Sequence, residues 1–482
     1  MTNTNYPEFS DDFDHINDYY IDDPIEPKIP LLDRLERMFA VLAIMYQSGS
    51  VYAVFSWNFS SADPMATRND VLETTSLGGG IARYFVFICF YSLLFIRWRS
   101  VWAVLKQRKA LWLFMGWLIL SCQWSINPLS QRLASEIVGI TLMGLYFASR
   151  FTLREFMKLA FIGFGITIVL NFLFCLAFPQ FGIQVGLQQG SWRGMAVQKN
   201  SLARIVVFGS IPLLCFVYSN VRENAKLHWW VLVLSIALIL LSNSKTGLLI
   251  FLIVNALIPV FQKMRSRNYL ALPLFICIVL VGIMASLLLL GNYEAILIGL
   301  GRDPSLSGRT EIWEAMIEKI MERPFTGYGY NGFWLAREGE SLDIWYRAKD
   351  LPPHGHNGYL NLSLDLGLVG LGLFLASYFK AIARSFRWLR ETPGPEGLMP
   401  IICMAELFMY NITEESLVSD ANFNVYWMFY IYISTAILIQ PMGITLLDTT
   451  IPTALEERTY DTNHNWESTV DSPPTPILDS EA

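Results

Sequence analysis

Two histidines lie two residues apart in a turn rich in proline and glycine, Pro352-Pro-His-Gly-His-Asn-Gly-Tyr359, in a chain that holds only five histidines. An imidazole with its ordinary pKa of about 6.5 suits a general base near neutral pH. Two imidazoles also begin a metal site, but zinc needs a third and usually a fourth ligand. No Cys or other His lies in the polar segments that accompany this turn, so carboxylates would have to complete such a site. The general base is the better reading, with His356 the candidate and His354 holding the turn.

Other residues of chemical interest fall in four polar segments: Arg193, Lys199 and Asn200 within 191–201, Lys245 within 242–247, Arg309 and Asn357 in or beside a long polar stretch, and Glu414 within 411–416. Arginine pairs bidentately with phosphate and lysine meets it as a point charge, so a phosphorylated ligand suits these cations. Lipid headgroups are the alternative partner.

The elements that position these residues are apolar runs. The 482-residue chain is 53% hydrophobic and 16% charged, which excludes a soluble globular protein of ordinary composition. Runs of roughly 17 to 25 residues are long enough to cross a bilayer as helices. They are expected near Glu36–Trp57, Ile81–Trp98, Ala110–Trp124, Arg132–Ala148, Phe156–Phe178, Ser201–Ser219, His228–Ser242, Thr246–Phe261, Leu270–Leu290, Tyr359–Phe379, Leu398–Ile412 and Phe423–Ile439. The expected fold is thus an all-α membrane protein with about twelve transmembrane helices, nine in residues 36–290 and three in 359–441. Residues 1–35 and 442–482 read as disordered tails, the first strongly acidic.

Short loops after even-numbered spans are basic, as with Arg97, Arg99, Lys106, Arg108 and Lys109 after the second and Lys380, Arg384, Arg387 and Arg390 after the tenth. The positive-inside rule places these loops and both termini in the cytoplasm. The large loop, residues 291–358, is then external, together with all four polar segments. Within it Arg309 to Pro324 predicts an amphipathic helix, with Ile312, Trp313, Met316, Ile317, Ile320 and Met321 on one stripe, Thr310 as cap and Pro324 as stop. The six cysteines sit inside apolar runs without paired spacing and read as packing residues. Glu136, Asp365 and Glu406 lie at membrane depth, as paired, functional or snorkelling carboxylates.

With these residues assembled, the chain resembles the O-antigen ligase and bacterial polysaccharide polymerase family, and more closely its exopolysaccharide-polymerase branch. The matching pieces are Trp192-Arg-Gly with Gln198-Lys-Asn200, Ser242-Asn-Ser-Lys-Thr246, Gly308-Arg-Thr-Glu-Ile-Trp313, Arg323-Pro-Phe-Thr-Gly-Tyr-Gly329, and His356-Asn-Gly-Tyr-Leu360 running into Leu366-Gly-Leu-Val-Gly-Leu371. The resemblance implies a GT-C-like multi-span glycosyltransferase of the bacterial inner membrane with a large periplasmic loop between spans nine and ten. It implies transfer of an undecaprenyl-pyrophosphate-linked oligosaccharide to an acceptor sugar hydroxyl at the periplasmic face, inverting and without metal or other cofactor. Arg193 would hold the pyrophosphate and His356 would act on the acceptor, with Lys199, Asn200, Lys245, Arg309, Asn357 and Glu414 as substrate-binding residues. The family's ligases commonly show Arg where this chain has Lys245, a departure that favours a polymerase. Implied partners are the lipid-linked donor, the glycan acceptor, the bilayer, and chain-length and export proteins, with no nucleic acid. Ligation of the glycan to lipid A core or protein stays open, as does a transporter of the same lipid-linked sugars.

Overall fold

The computed structural model describes residues 30–49, 77–184, 189–196, 198–219, 221, 224–265, 309–335, 339–348, 354–418 and 424–440. The ninth expected span and both tails beyond these bounds lie outside them. Regular structure among the described residues is helical. In chain order the helices are α1 (Pro30–Gln47), α2 (Leu77–Ile96), α3 (Trp98–Lys106), α4 (Lys109–Ser121), α5 (Ser130–Arg150), α6 (Leu153–Ala177), α7 (Lys199–Tyr218), α8 (Ala225–Leu241), α9 (Lys245–Arg265), α10 (Arg309–Glu322), α11 (Ser341–Ala348), α12 (Gly358–Glu391), α13 (Met399–Thr413) and α14 (Val425–Ile439). A helix satisfies its own backbone, which is why long apolar runs take this form where no water can bond to them.

Four of these helices, α6, α7, α9 and α12, are long and apolar enough to cross a membrane, and the segments Arg83–Ile96 and Trp98–Lys106, bent by 82°, make a fifth if taken as one span. Every expected span within the described residues coincides with a helix, and several of those helices are short. Large apolar side chains stay exposed along α2 (Ile81, Phe85, Ile88), α6 (Ile162, Ile166, Leu173) and α8 (Trp229, Trp230, Val233), which is the surface a lipid-solvated protein presents. The chain is therefore a multi-pass membrane protein.

Helix α14 is apolar on every side and buried along nearly its whole length, as a central helix must be. Aromatic rings lock it to its neighbours: Tyr432 stacks on Phe156 of α6 at 3.7 Å between centroids, and Tyr426 meets Phe208 of α7 at 4.3 Å. Toward the start of α6, Glu36 of α1 is fully buried. It accepts hydrogen bonds from Arg97 and Arg150, and from the Tyr146 hydroxyl at 2.9 Å. Arg150 also reaches Asp33, and Arg37 bridges Asp33 at 2.9 Å and Glu155 at 2.7 Å. Glu136 is likewise paired, to Arg83 at 2.7 Å and Arg132 at 3.4 Å. Glu406 accepts from Tyr426 at 2.9 Å.

Helix α12 is broken at Gly367, whose φ of 67° and ψ of −178° leave the helical region. The backbone of residues 324–329 fills the break: Tyr328 and Gly329 donate to the carbonyls of Leu364 and Asp365 at 2.7 and 2.9 Å, and Leu368 donates to Pro324 at 2.7 Å. A Cβ on Gly367 would lie 2.2 Å from the Phe325 carbonyl oxygen, so only glycine allows this approach. Two motif pieces, Arg323 to Gly329 and Leu366 to Leu371, are thus one structural unit that carries α10 over the start of α12.

Helix α10 begins at Arg309 and ends at Glu322, so Thr310 lies inside its first turn rather than capping it. Its apolar stripe divides in two. Ile312, Met316 and Ile320 pack against Tyr328, Phe333, Ile344 and Leu364, while Ile317 and Met321 remain exposed.

Candidate active site

The His354–His356 turn enters α12, and Asn357 is the helix N-cap: its Oδ1 accepts from the amides of Tyr359 and Leu360 at 3.0 and 3.1 Å. The Asn357 side-chain oxygen is thereby engaged by two backbone donors. Trp313 of α10 donates its indole N–H to the Gly355 carbonyl at 2.8 Å, and the Gly355 amide donates to Asn361 Oδ1 at 3.3 Å. His356 itself has a φ of 49°, a left-handed conformation that is strained for a residue with a Cβ.

The two imidazoles of this turn lie against one another. Their centroids are 4.4 Å apart, and the His356 amide donates to His354 Nδ1 at 3.2 Å. His356 Nδ1 lies 3.2 Å from Oε2 of Glu414, a buried carboxylate at the end of α13. The other oxygen of Glu414 accepts from Asn200 Nδ2 at 3.3 Å, and Asn200 Oδ1 accepts from the Ser244 hydroxyl at 3.0 Å. One chain of contacts therefore joins α12, α13, the start of α7 and the start of α9.

Lys199 and Lys245 sit in the first turns of α7 and α9. Lys199 Nζ donates to the Asn243 carbonyl at 3.4 Å, and Lys245 is exposed. Helix N-termini carry partial positive charge, so two of them edged by lysines beside His356 make a locus for an anion. Arg193 belongs to the adjoining loop. It is buried, donates from Nε to the Phe181 carbonyl at 2.8 Å and from its amide to Gly182 at 2.8 Å, and burial pulls its guanidinium pKa below the ordinary value without removing the charge. The neighbouring Trp192 amide donates to Leu241 at the end of α8. Arg309 starts α10; the position of its side chain lies outside the described residues.

His354, His356 and Glu414 each offer a ligand atom, all within 4.8 Å of one another, and a fourth polar group, Glu415, has an oxygen 3.9 Å from His354 Nδ1. Arg204, one helical turn beyond Asn200, secures the loop that carries these carboxylates by donating to the Glu415 carbonyl at 2.9 Å and the Ser416 hydroxyl at 3.1 Å. Sequence reading passed over Ser244, Arg204 and Glu415. Arg204 had a signal, since an arginine within an apolar run needs a partner; the other two became visible only through their contacts.

Residues 230–375 match the O-Antigen ligase family model. That segment takes in Lys245, Arg309, His354, His356 and Asn357, while Arg193, Lys199, Asn200 and Glu414 lie outside it. A Rickettsia conorii protein with the provisional name polysaccharide ligase is 28% identical over 58% of this chain and 68% of its own length. A Rickettsia bellii protein with the same provisional name is 25% identical over 56% of this chain and 66% of its own length. The exopolysaccharide production protein ExoQ of Rhizobium meliloti is 26% identical over 29% of this chain and 33% of its own length. These likenesses agree with what the motifs implied: in residues 230–375 the chain carries an O-antigen ligase domain.

Proposed function

We propose that the chain is a polymerase of exopolysaccharide or a related surface glycan. It transfers an oligosaccharide from undecaprenyl pyrophosphate to an acceptor sugar hydroxyl at the periplasmic face of the inner membrane. The observation that carries this reading is the contact chain from His356 through Glu414 and Asn200 to Ser244, set beside the lysines of two helix N-termini.

With Nδ1–H donated to the Glu414 carboxylate, His356 holds its lone pair on Nε2, the tautomer a base requires. Nε2 takes the acceptor hydroxyl's proton as that oxygen bonds to the anomeric carbon. The bond from that carbon to the pyrophosphate breaks, the configuration inverts, and undecaprenyl pyrophosphate leaves as an anion. Lys199 and Lys245, with Arg193 and Arg309 at the edge, stabilise the charge that develops on it. No step calls for a metal. The architecture that accompanies this reading has twelve spans, cytoplasmic termini and residues 291–358 as a periplasmic loop. Cysteine labelling tests that topology. Asp343 suits it better than Ser341, because Ser341 is buried and the Asp343 side chain is 44% exposed. A cysteine at 343 should react in intact cells, and reaction only after permeabilisation refutes the topology.

The names of the Rickettsia relatives favour a second reading, ligation of the finished glycan to lipid A core or protein by the same chemistry. A transporter fits less well. Its helices characteristically break around a substrate, and the break in α12 is filled by this chain's own backbone.

The deciding assay uses purified protein and an undecaprenyl-linked oligosaccharide. His356→Ala should lower turnover by about 100-fold or more, the scale of general-base catalysis, with donor binding kept. His354→Ala should be much milder. Full turnover by a well-folded His356→Ala protein refutes the mechanism, and transfer only to a non-glycan acceptor replaces the polymerase with a ligase.

A further inference from the structure

We infer that His354, His356 and Glu414 form a divalent-cation site, suited to zinc, whose occupant silences the base. The inhibitory half rests on the reading of His356 as base; the binding half stands on geometry alone.

Zinc at an open site takes three N or O ligands from the protein and a water, with bonds of about 2.0 Å, so its donor atoms lie roughly 3.3 Å apart. The three donors here start within 4.8 Å of one another, a gap that side-chain rotation can close. In this turn His356 has a left-handed φ of 49° and the two rings lie 4.4 Å apart. His354 Nδ1 accepts the His356 amide at 3.2 Å, which holds that ring in the turn. Glu414 is buried and held through its other oxygen by Asn200, the kind of outer contact that orients a metal-binding carboxylate. Glu415, 3.9 Å from His354, adds a second negative charge beside the cation.

The consequence for the base follows from the two-nitrogen ring. Without metal, Nδ1 carries the proton, shared with Glu414, and Nε2 carries the lone pair. When zinc binds Nδ1 in place of that proton, the proton moves to Nε2 and the imidazole stays neutral. Nε2 is then a donor and cannot accept the hydroxyl proton. Zinc also takes the Glu414 oxygen that oriented the ring.

Full-length protein in detergent, stripped with chelator and titrated with zinc sulfate by calorimetry, tests the site. The wild type should bind one zinc per chain. His354→Ala and His354→Gln should weaken binding by about tenfold or more, since even contacts one shell further out are worth 10- to 100-fold. Both variants should elute as the wild type does and, without zinc, lose far less turnover than His356→Ala. Zinc should inhibit the wild type, with full recovery on chelation, and spare the two variants. Absence of saturable binding by the wild type, or equal affinity in all three proteins, overturns the site. Undiminished wild-type turnover at saturating zinc overturns the silencing. Full zinc-free turnover by His356→Ala would instead remove the base reading and leave the wild-type binding result standing.

Discussion

Helix α6 spans the distance between two charged regions of opposite character. Near its start, Asp33, Glu36 and Glu155 meet Arg37, Arg97 and Arg150, so each carboxylate faces at least one guanidinium in a half-buried cluster around the fully buried Glu36. Past its end, beyond the loop of Arg193, the carboxylates of Glu414 and Glu415 face imidazoles, and among the described residues Lys199 reaches the Asn243 backbone carbonyl. Matched full charges saturate one another and leave nothing for a ligand; they tie α1, α5 and α6 together. Imidazoles beside lysines that pair with no carboxylate among the described residues leave capacity for a substrate on the proposed reading. Charge at a membrane edge thus marks structure where it is balanced and chemistry where it is not.

The largest expected effect comes from breaking the balanced cluster. Glu36→Ala removes the fully buried carboxylate that Arg97 and Arg150 share, and removing one partner of a buried pair typically costs about 3 to 5 kcal/mol. Thermal unfolding in detergent should show a large loss of stability, while the fraction that remains folded turns over at the wild-type rate. A fully stable variant with impaired turnover would reverse the roles assigned to the two regions.

Next comes the orienting carboxylate. Glu414→Gln keeps the shape but gives up the charge that holds the His356 tautomer, and turnover should fall by about 10- to 100-fold, as for other groups that orient a histidine. Added to His356→Ala it should cost almost nothing more, because residues that act as one unit are not additive. Added to Glu36→Ala its effect should be independent, since the two sites share no partner. Simple additivity of Glu414→Gln with His356→Ala would dissolve the pair.

These contrasts show what was legible in the sequence and why. Apolar runs were, because lipid demands continuous stretches, and each described run is a helix. The tight turn that carries the two histidines into α12 was legible too. What escaped was contact between distant segments. Arg97 and Arg150 read as basic loop residues and Glu36 as the first residue of a span, since their pairing crosses 61 and 114 positions. Glu414 was singled out among the polar residues, but its link to His356 spans 58 positions. The break in α12 required knowing that residues 324–329 would enter it. The left-handed φ of His356 had no signal at all, because glycine is the residue that takes such a conformation without strain.

Lys245 sharpens the comparison at smaller scale. As an exposed cation it should contribute about 1 to 2 kcal/mol to holding a phosphate, so Lys245→Ala should lower kcat/KM by about tenfold. Lys245→Arg should be close to wild type. Loss of the same size from both would show that shape rather than charge matters at this helix start.

The smallest effect concerns a third arrangement, in which charges are paired but face water. Lys319 of α10 lies 3.1 Å from Glu322 and 3.0 Å from Glu340, and Tyr328 donates to Glu322 at 2.9 Å. Burial disfavours charge on both Lys319 and Glu322, but their hydrogen bonds prevail, raising the lysine pKa and lowering that of Glu322. A lowered carboxyl pKa stabilises the fold above the group's ordinary value and loses that contribution as pH falls through the folded value; a raised lysine pKa stabilises below its ordinary value and loses that as pH rises through the folded one. Both contributions are present at neutrality, and acid removes the first. Since Glu322 is 53% exposed, solvent screening keeps the pair within about 1 kcal/mol. Hydrogen exchange in α10 and α11 should therefore rise modestly as the pH drops through the carboxylate range, after correction for the intrinsic rate. The rise should shrink in Lys319→Met, which loses the lysine's pairs and keeps the Tyr328 bond to Glu322. A rise of equal size in that variant would assign the acid sensitivity to other groups and leave this pair without a role in holding the loop.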